Sequence, residues 1–472
     1  MSKILDADAY SLAEQIKKKE LTATDVVRTY IAHQKKINPI LNCVVEDRYE
    51  EALKEAMICD QTPGEKKRGK LFGVPLSIKE AFHLAGMKTT GGLPARKEIV
   101  EAQDAQIVKQ LKAEGAIFLS KTNTPALCFC QETENKLYGL TRNPWDLGKT
   151  AGGSSGGEGS LLAAGGAAVG IGSDIGGSIR FPSHFNGVIG FKSGKGQISI
   201  EGAFPPVEHP LQQRMFGIGA MGKSVRDARL IHEILTKDQI QPKSVSEYTI
   251  NIPSITQFPI GEATQQMLLQ IKKILENHFH LTDETPPYFE DSAMLWQLIM
   301  SIEGAKEVAK IAVSGRKTSP LFEYLKERTS RNSEIHPYLS WALIGAQLFK
   351  PNQQKLNQLS QTLHIGDSAL NTYLENQLII LPVYHSPALP HGQIYKEIFS
   401  IRKTYLKYVP FIAYANTWGL PSLTIPVGTD ENNLPIGLQI ISKNGNEEAI
   451  FQLGEIFEKE TRGYIRCTKY DK

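Results

Sequence analysis

A chain of 472 residues, 41% hydrophobic and 22% charged, carries enough apolar material for one large folded domain or two to three ordinary ones, which excludes disorder over most of its length. Its formal charge of +3, from 53 basic and 50 acidic residues, leaves no footprint for nucleic acid or an anionic membrane. The five cysteines, at 43, 59, 128, 130 and 467, are odd in number and form no CxxC pair, so reduced thiols are expected rather than a disulfide framework or a zinc site.

The stretch from Met1 to Tyr10 holds two Asp and no apolar core, unlike a signal peptide, and no run of 18 apolar residues occurs. The expectation is a cytoplasmic chain without a permanent membrane anchor. The first 60 residues read as helical. Val27, Tyr30 and Ile31 recur at helical spacing, with Thr24 as a candidate N-cap and Asn38-Pro39 as a stop. Tyr49, Ala52, Leu53, Ala56 and Met57 form the apolar face of a second helix that Asp47 is placed to cap. A polar linker from Thr62 to Lys70 ends this arm, and the runs Lys17–Lys19 and Lys66–Arg68 read as solvated faces.

From Leu71 the texture becomes α/β. Val74 to Ile78 reads as a strand and Asp104 to Glu114 as a helix with Ile107, Val108 and Leu111 inward and Gly115 as terminator. Ala116 to Leu119 reads as a buried strand. Residues 151–202 are dense in small side chains, which fits a packed backbone running close to a ligand. About 240–375 is more polar and mostly helical in pattern. Strands return at Leu378–Leu381, Ser422–Val427 and Gly437–Ile441, the last two joined by a turn-rich loop, before a final helix bearing Ile450, Phe451, Leu453, Ile456 and Phe457.

Three segments carry candidate chemistry. Lys79 directly follows the apolar strand. If buried, its charged form loses hydration, its pKa falls, and the neutral amine becomes a general base; a surface lysine at a strand end is the plain alternative. The loop Ala151-Gly-Gly-Ser154-Ser155-Gly-Gly-Glu158 lacks the Gly-Lys-Ser/Thr of a phosphate loop and reads as a flexible turn or as a loop presenting hydroxyls. In Gly172-Ser-Asp174-Ile175-Gly176-Gly177-Ser178-Ile-Arg180, glycines permit a tight turn whose N–H groups, those of Ile175, Gly176, Gly177 and Ser178, face one way and could hold an oxyanion. Asp174 and Arg180 flank that turn and are placed to pin it. A structural turn with an idle serine is the alternative. His184 is too near for a Ser-His-Asp arrangement, Ser178 is not in a G-x-S-x-G elbow because Arg180 stands where the last glycine would be, no H-E-x-x-H occurs, and the 11 histidines read as structural or surface residues. Serine chemistry here calls for lysine as the base.

In order and separation, 75 and 24 residues apart, Lys79, Ser154 and Ser178 resemble the Ser-cisSer-Lys triad of the amidase-signature family. The stretch GGSSGGEGSLLAAGGAAVGIGSDIGGSIRFPSHFNGVIGFK matches that signature nearly throughout. The resemblance extends to GVPLSIKEAF, to TN-x-P at 122–125, to residues 134–146 and to the tail from Gly419, and is weakest at about 230–370. Gly156-Gly157-Glu158, Ile175, Met294-Leu-Trp296 and residues 381–392 are similar to the fatty acid amide hydrolase branch, its second vertebrate member in particular. The family's usual Lys-Pro after the signature is Lys192-Ser193 here, and the N-terminal membrane helix of animal relatives is not seen.

The resemblance implies a mixed central sheet flanked by helices, with an N-terminal helical arm over 1–62 and a catalytic domain over 63–470 that contains a variable, mostly helical insertion at about 240–375. It implies hydrolysis of small-molecule amides, hydrophobic or fatty acyl, through an acyl-enzyme on Ser178. Ser155, Asp174 and Arg180 would support the loop, and by alignment with TN-x-P Cys128 lines the acyl pocket or is an ordinary buried thiol. Neither cofactor nor metal is implied, and the N-terminal helices are a candidate homodimer contact. Trp296, Leu298, Ile299 and Met300 read as helix core or as the wall of an apolar channel. Two other readings stand beside this one: the glutaminase component of an aminoacyl-tRNA amidotransferase, its A subunit, and a catalytically idle binding protein on the same fold.

Overall fold

The segment Val74–Ile78 shows no polar alternation, the mark of a strand covered on both faces. In the computed structural model it forms strand Pro75–Lys79, buried at every residue. The structure describes residues 2–63, 69–236, 243–254, 258–316, 318–399 and 405–471; the Lys66–Arg68 run and part of the Thr62–Lys70 linker lie outside the described residues.

Eleven strands form one mixed sheet. In chain order they are β1 (Val44–Asp47), β2 (Pro75–Lys79), β3 (Ile117–Thr122), β4 (Val169–Asp174), β5 (Ile189–Lys192), β6 (Gly217–Gly222), β7 (Thr249–Asn251), β8 (Leu281–Thr282), β9 (Gln377–Pro382), β10 (Ser422–Thr429) and β11 (Pro435–Ile441). Across the sheet they run β1-β3-β2-β4-β6-β5-β10-β11-β9-β7-β8. β2 pairs in parallel with β3 and β4, so the carboxyl ends of β2 and β4 lie at the same edge, with Ile78 opposite Ile171 and Lys79 opposite Thr122. β10 and β11 form the expected hairpin. Successive residues of β9 feed opposite faces: Leu378 and Ile380 enter one core, Ile379 and Leu381 another.

The N-terminal segment is not purely helical. Helices Ala9–Lys17, Ala23–Leu41 and Tyr49–Gln61 are present, but Val44–Asp47 adds a strand at the sheet edge, antiparallel to β3. Leu12, Ile16, Val27 and Tyr30 share one core with Leu76, Phe118 and Val169 of the sheet. Thr22, not Thr24, caps the second helix, accepting from the Asp25 N–H at 3.0 Å. Thr24 instead gives its N–H to Asp60 at 3.0 Å. Pro39 does not stop that helix: it lies inside the last turn, and the chain leaves only at Asn42, in the left-handed region with φ 51. Asp47 ends β1 and accepts from the Tyr49 N–H at 3.5 Å, while Arg48 at the N-cap position of that helix makes no side-chain cap; Met57 on it is exposed.

The segment at about 240–375 is mostly helical, with helices Glu262–Leu275, Ser292–Met300, Lys306–Val313, Pro320–Ser330, Pro337–Leu348 and Gln353–Tyr373, but it also supplies β7 and β8. Its helices pack in three groups. Ile271 and Leu275 of Glu262–Leu275 join Leu378 and Ile380 in the larger core. Leu295 and Ile299 join Phe411, Tyr414 and Trp418 of the Tyr405–Thr417 helix and its end. Leu339 and Leu343 join Leu93, Leu127 and Phe204 of the main body. Two of these helices, Ser292–Met300 and Pro337–Leu348, line the same cavity as Ser173 at the end of β4.

Candidate active site

Parallel strands deliver their carboxyl ends to one edge, and loops leaving that edge are where ligands of α/β sheets bind. Lys79 closes β2, and Ser173 and Asp174 close β4. Lys79 is fully buried, and its Nζ lies 2.6 Å from Ser154 Oγ and 3.0 Å from Ser173 Oγ. Burial pushes its pKa below the ordinary lysine value; the Cys128 thiol in contact with it, and the Asp174 and Glu158 carboxyls, act in the opposite direction.

Ser154 follows a cis peptide bond after Gly153, immediately before the helix Gly156–Ala163. The N–H of Ser155 donates to the Ser178 carbonyl at 3.1 Å, tying the two glycine-rich loops together, and the Ser155 hydroxyl donates to the Ser173 carbonyl at 3.4 Å. Glu158, on that helix, is wholly buried and accepts from Ser77 Oγ at 2.5 Å and Thr122 Oγ1 at 2.9 Å. Burial raises its carboxyl to about 7, against the lowering effect of the two hydroxyls.

Between β4 and the helix Arg180–Asn186 the chain makes the turn Ile175–Ser178. Gly177 there has φ 92, a left-handed conformation that disfavours any side chain. Asp174 organises the turn from within. It accepts from the N–H of Gly177 at 2.8 Å and of Ile179 at 3.1 Å, and from Arg180 Nε at 3.0 Å. Arg180 is fully buried and also reaches the Ile412 carbonyl, Gln439 and Asn416. Burial alone would raise the Asp174 carboxyl, but the Arg180 guanidinium outweighs it and holds the group below the usual carboxylate range.

Of the four backbone donors expected to face a substrate, Gly177 is therefore already committed to Asp174. The N–H groups of Ile175, Gly176 and Ser178 have no acceptor among the described residues. The Ser178 hydroxyl likewise makes no hydrogen bond among the described residues, and Ser178 is 5% exposed, opening on a cavity.

That cavity, of about 480 Å³, has Ser154, Ser173, Ser178, Ile175 and Gly176 in its wall. Cys128 lines it too, 3.2 Å from Thr124 Oγ1. The rest is largely apolar, with Phe129, Phe204, Trp296, Met300 and Trp341 from separate stretches of the chain, and the exposed Met294, Leu348 and Phe349. Of the four helix residues 296 and 298–300, Trp296 and Met300 line the cavity while Ile299 is core. His184 stands apart, buried and accepting from the Gly437 N–H at 2.7 Å. Two side chains from elsewhere touch the turn. Gln131, which no motif marked, donates to the Gly176 carbonyl, and Trp296, read from the sequence only as helix core or channel wall, donates its indole N–H to the Ile175 carbonyl.

Residues 25–451 match a family model described as Amidase. Fatty-acid amide hydrolase 2 of Homo sapiens is 30% identical over 97% of this chain and 90% of its own length. The A subunit of the Glutamyl-tRNA(Gln) amidotransferase of Clostridium novyi is 27% identical over 97% of this chain and 98% of its own. A solved structure of a fatty acid amide hydrolase, 21% identical, superposes with a TM-score of 0.82 over 98% of this chain and 86% of that one, which speaks for a shared fold. Among the described residues no helix is long and apolar enough to cross a membrane.

Proposed function

The chain belongs to the amidase family, and from that premise we propose that it hydrolyses carboxylic amides with apolar acyl groups, fatty acyl amides among them, with Ser178 as the nucleophile. The observation that carries this reading is the 2.6 Å contact between Lys79 Nζ and Ser154 Oγ in the wall of the apolar cavity that Ser178 opens on.

Neutral Lys79 accepts the Ser154 proton while Ser154 accepts that of Ser178. The freed Oγ of Ser178 forms a bond to the amide carbon, and the carbonyl π electrons move to oxygen. The N–H groups of Ile175, Gly176 and Ser178 receive that oxyanion. As it collapses, the C–N bond breaks, and Ser154 returns a proton to the leaving nitrogen and is resupplied by Lys79. Water then attacks the acyl ester by the same relay and releases the acid. Asp174, Arg180 and Ser155 support the turn, and Cys128 forms part of the acyl wall.

Two measurements on the purified protein test this. A panel of aryl, short-chain and long-chain acyl amides should give its highest kcat/KM with long acyl chains, and a fluorophosphonate should label Ser178. The Ser178→Ala variant should lose both turnover and labelling. Labelling of that variant at another serine would overturn the nucleophile assignment. The similarity to the amidotransferase component supports a second reading, a glutaminase acting with partner proteins. Glutamine hydrolysis by the chain, together with inactivity on every acyl amide, would select it; absence of labelling in folded protein would select an idle binding protein.

A further inference from the structure

Each carbonyl of the Ile175–Ser178 turn is held from behind. The Gly177 carbonyl accepts from the Phe181 N–H at 2.8 Å and the Ser178 carbonyl from the Ser155 N–H at 3.1 Å. The other two are held by side chains from elsewhere. Gln131, in the loop after β3, donates Nε2 to the Gly176 carbonyl at 3.3 Å. Trp296, on the helix Ser292–Met300 of the insertion, donates its indole Nε1 to the Ile175 carbonyl at 2.7 Å. The C=O and N–H of a trans peptide point in opposite directions. Holding the Ile175 carbonyl on the indole therefore aims the Gly176 N–H away from it.

The ring also occupies the space above Gly176, where a Cβ would stand 2.7 Å from Trp296 Cζ2. The peptide is thus gripped by both a hydrogen bond and a van der Waals wall. The helix that brings the ring is itself anchored. The Ser292 carbonyl accepts from Thr417 Oγ1 at 2.9 Å, and Ser292 Oγ accepts from Trp418 Nε1 at 3.2 Å. The Tyr405–Thr417 helix also reaches the polar underside of the turn, where Asn416 Nδ2 donates to Asp174 Oδ1 at 2.9 Å and the Ile412 carbonyl accepts from Arg180 Nη1 at 3.0 Å. The turn lies between two elements that are joined to each other.

We propose that Trp296 is the positioning residue of the oxyanion hole, orienting the Ile175–Gly176 peptide so that the Gly176 N–H meets the substrate oxygen, and that it links this orientation to occupancy of the acyl cavity whose wall it forms. The inference rests on Ser178 being the nucleophile. An acyl chain lying against the indole restrains the ring and the peptide behind it. Part of the chain's binding energy is then expressed in kcat rather than in KM.

The test uses Trp296→Phe and a variant with benzothienylalanine at position 296, a ring of the same shape with sulfur in place of N–H. Both are assayed on a long-chain acyl amide and for inhibition by the corresponding acyl aldehyde, which forms a tetrahedral adduct with a serine. Outright loss of one oxyanion donor lowers rates by about two to three orders of magnitude, and the donor here is misaimed rather than removed. Expected here is a fall in kcat of about ten- to a hundredfold, KM within about twofold of wild type, and aldehyde affinity weakened in proportion to kcat. A benzothienylalanine variant with wild-type kcat, or one impaired in KM alone, overturns the proposal, and this variant decides should the Phe variant fold poorly. Wild-type protein that is neither labelled at Ser178 nor active on any amide removes the underlying reading as well. Wild-type protein that is labelled and active, with a benzothienylalanine variant equally active, removes only the role of Trp296.

Discussion

In the proposed mechanism Lys79 serves as a base because its surroundings disfavour its charge. Burial lowers its pKa, and kcat/KM should therefore rise with pH through the ionisation of this one amine and reach its plateau below the ordinary lysine value. Glu158 opposes that shift by favouring the ammonium form. Replacing it with glutamine keeps the shape that Ser77 and Thr122 bind but removes the negative charge, so the acid limb of the Glu158→Gln pH profile should move to lower pH. A limb that stays in place would show that Glu158 does not act on Lys79. Lys79→Ala should lose more activity on amides than on the matching esters, because an alkoxide leaves without the proton that an amine requires. Equal losses on the two substrates would speak against the shuttle. Arg180 is a different case: it is the buried counter-charge of Asp174, and removing one partner leaves an uncompensated charge in the interior. Arg180→Met should cost about 3–5 kcal/mol in chemical denaturation.

The elements differ in how far their residues announced them. The helix Gln106–Ala113 was expected over 104–114 with Ile107, Val108 and Leu111 inward, and these are its buried residues, because an isolated amphipathic stripe has one way to face a core. β1, β4, β5, β6, β7 and β8 went unread. β1, β7 and β8 have four, three and two residues, too few to establish a period, and they exist because a neighbouring strand offers unpaired backbone groups. β4, β5 and β6 are buried at every residue and contain glycine, so they show neither the alternation nor the β-branched run that marks a strand. The N-terminal helices are anchored in a way no spacing reveals. Lys223, buried beside β6, donates to the carbonyls of Leu5 and Ala7 at 2.6 and 3.0 Å and to the Tyr30 hydroxyl at 2.9 Å. Each buried group left without its partner costs about 1–3 kcal/mol. Lys223→Met should therefore lower the thermal midpoint and speed tryptic cleavage at Lys17–Lys19, with kcat/KM unchanged. A midpoint equal to wild type would mean that the arm is held by its apolar contacts alone.

At the scale of the molecule, one body of polar machinery sits at the sheet edge and one apolar body covers it. The cavity between them, of about 480 Å³, is walled by the main chain's loops on one side and by the insertion on the other. Burying a methylene stabilises a complex by about 0.8 kcal/mol, roughly a fourfold change in an equilibrium constant. For a homologous series of acyl amides, kcat/KM should rise by up to about fourfold per methylene until the cavity is filled, then level off. A flat series from short to long chains would place the acyl group outside this cavity.

The sequence by itself marked the candidate residues along the chain. Lys79 at a strand end and two glycine-rich loops bearing Ser154 and Ser178 are local features, legible because a tight backbone needs glycine, and their resemblance to the amidase signature is what joined them into one candidate site. The α/β class was legible for the same reason, since hydrophobic periodicity is a local property. Tertiary structure alone decided which backbone donors of the turn remain available, Gly177 being taken by Asp174. It also decided that an indole 121 residues away supports Ile175, and how much space the acyl wall encloses. These depend on distances between segments remote in sequence, and such distances are set by how whole elements pack, which no short stretch of residues encodes.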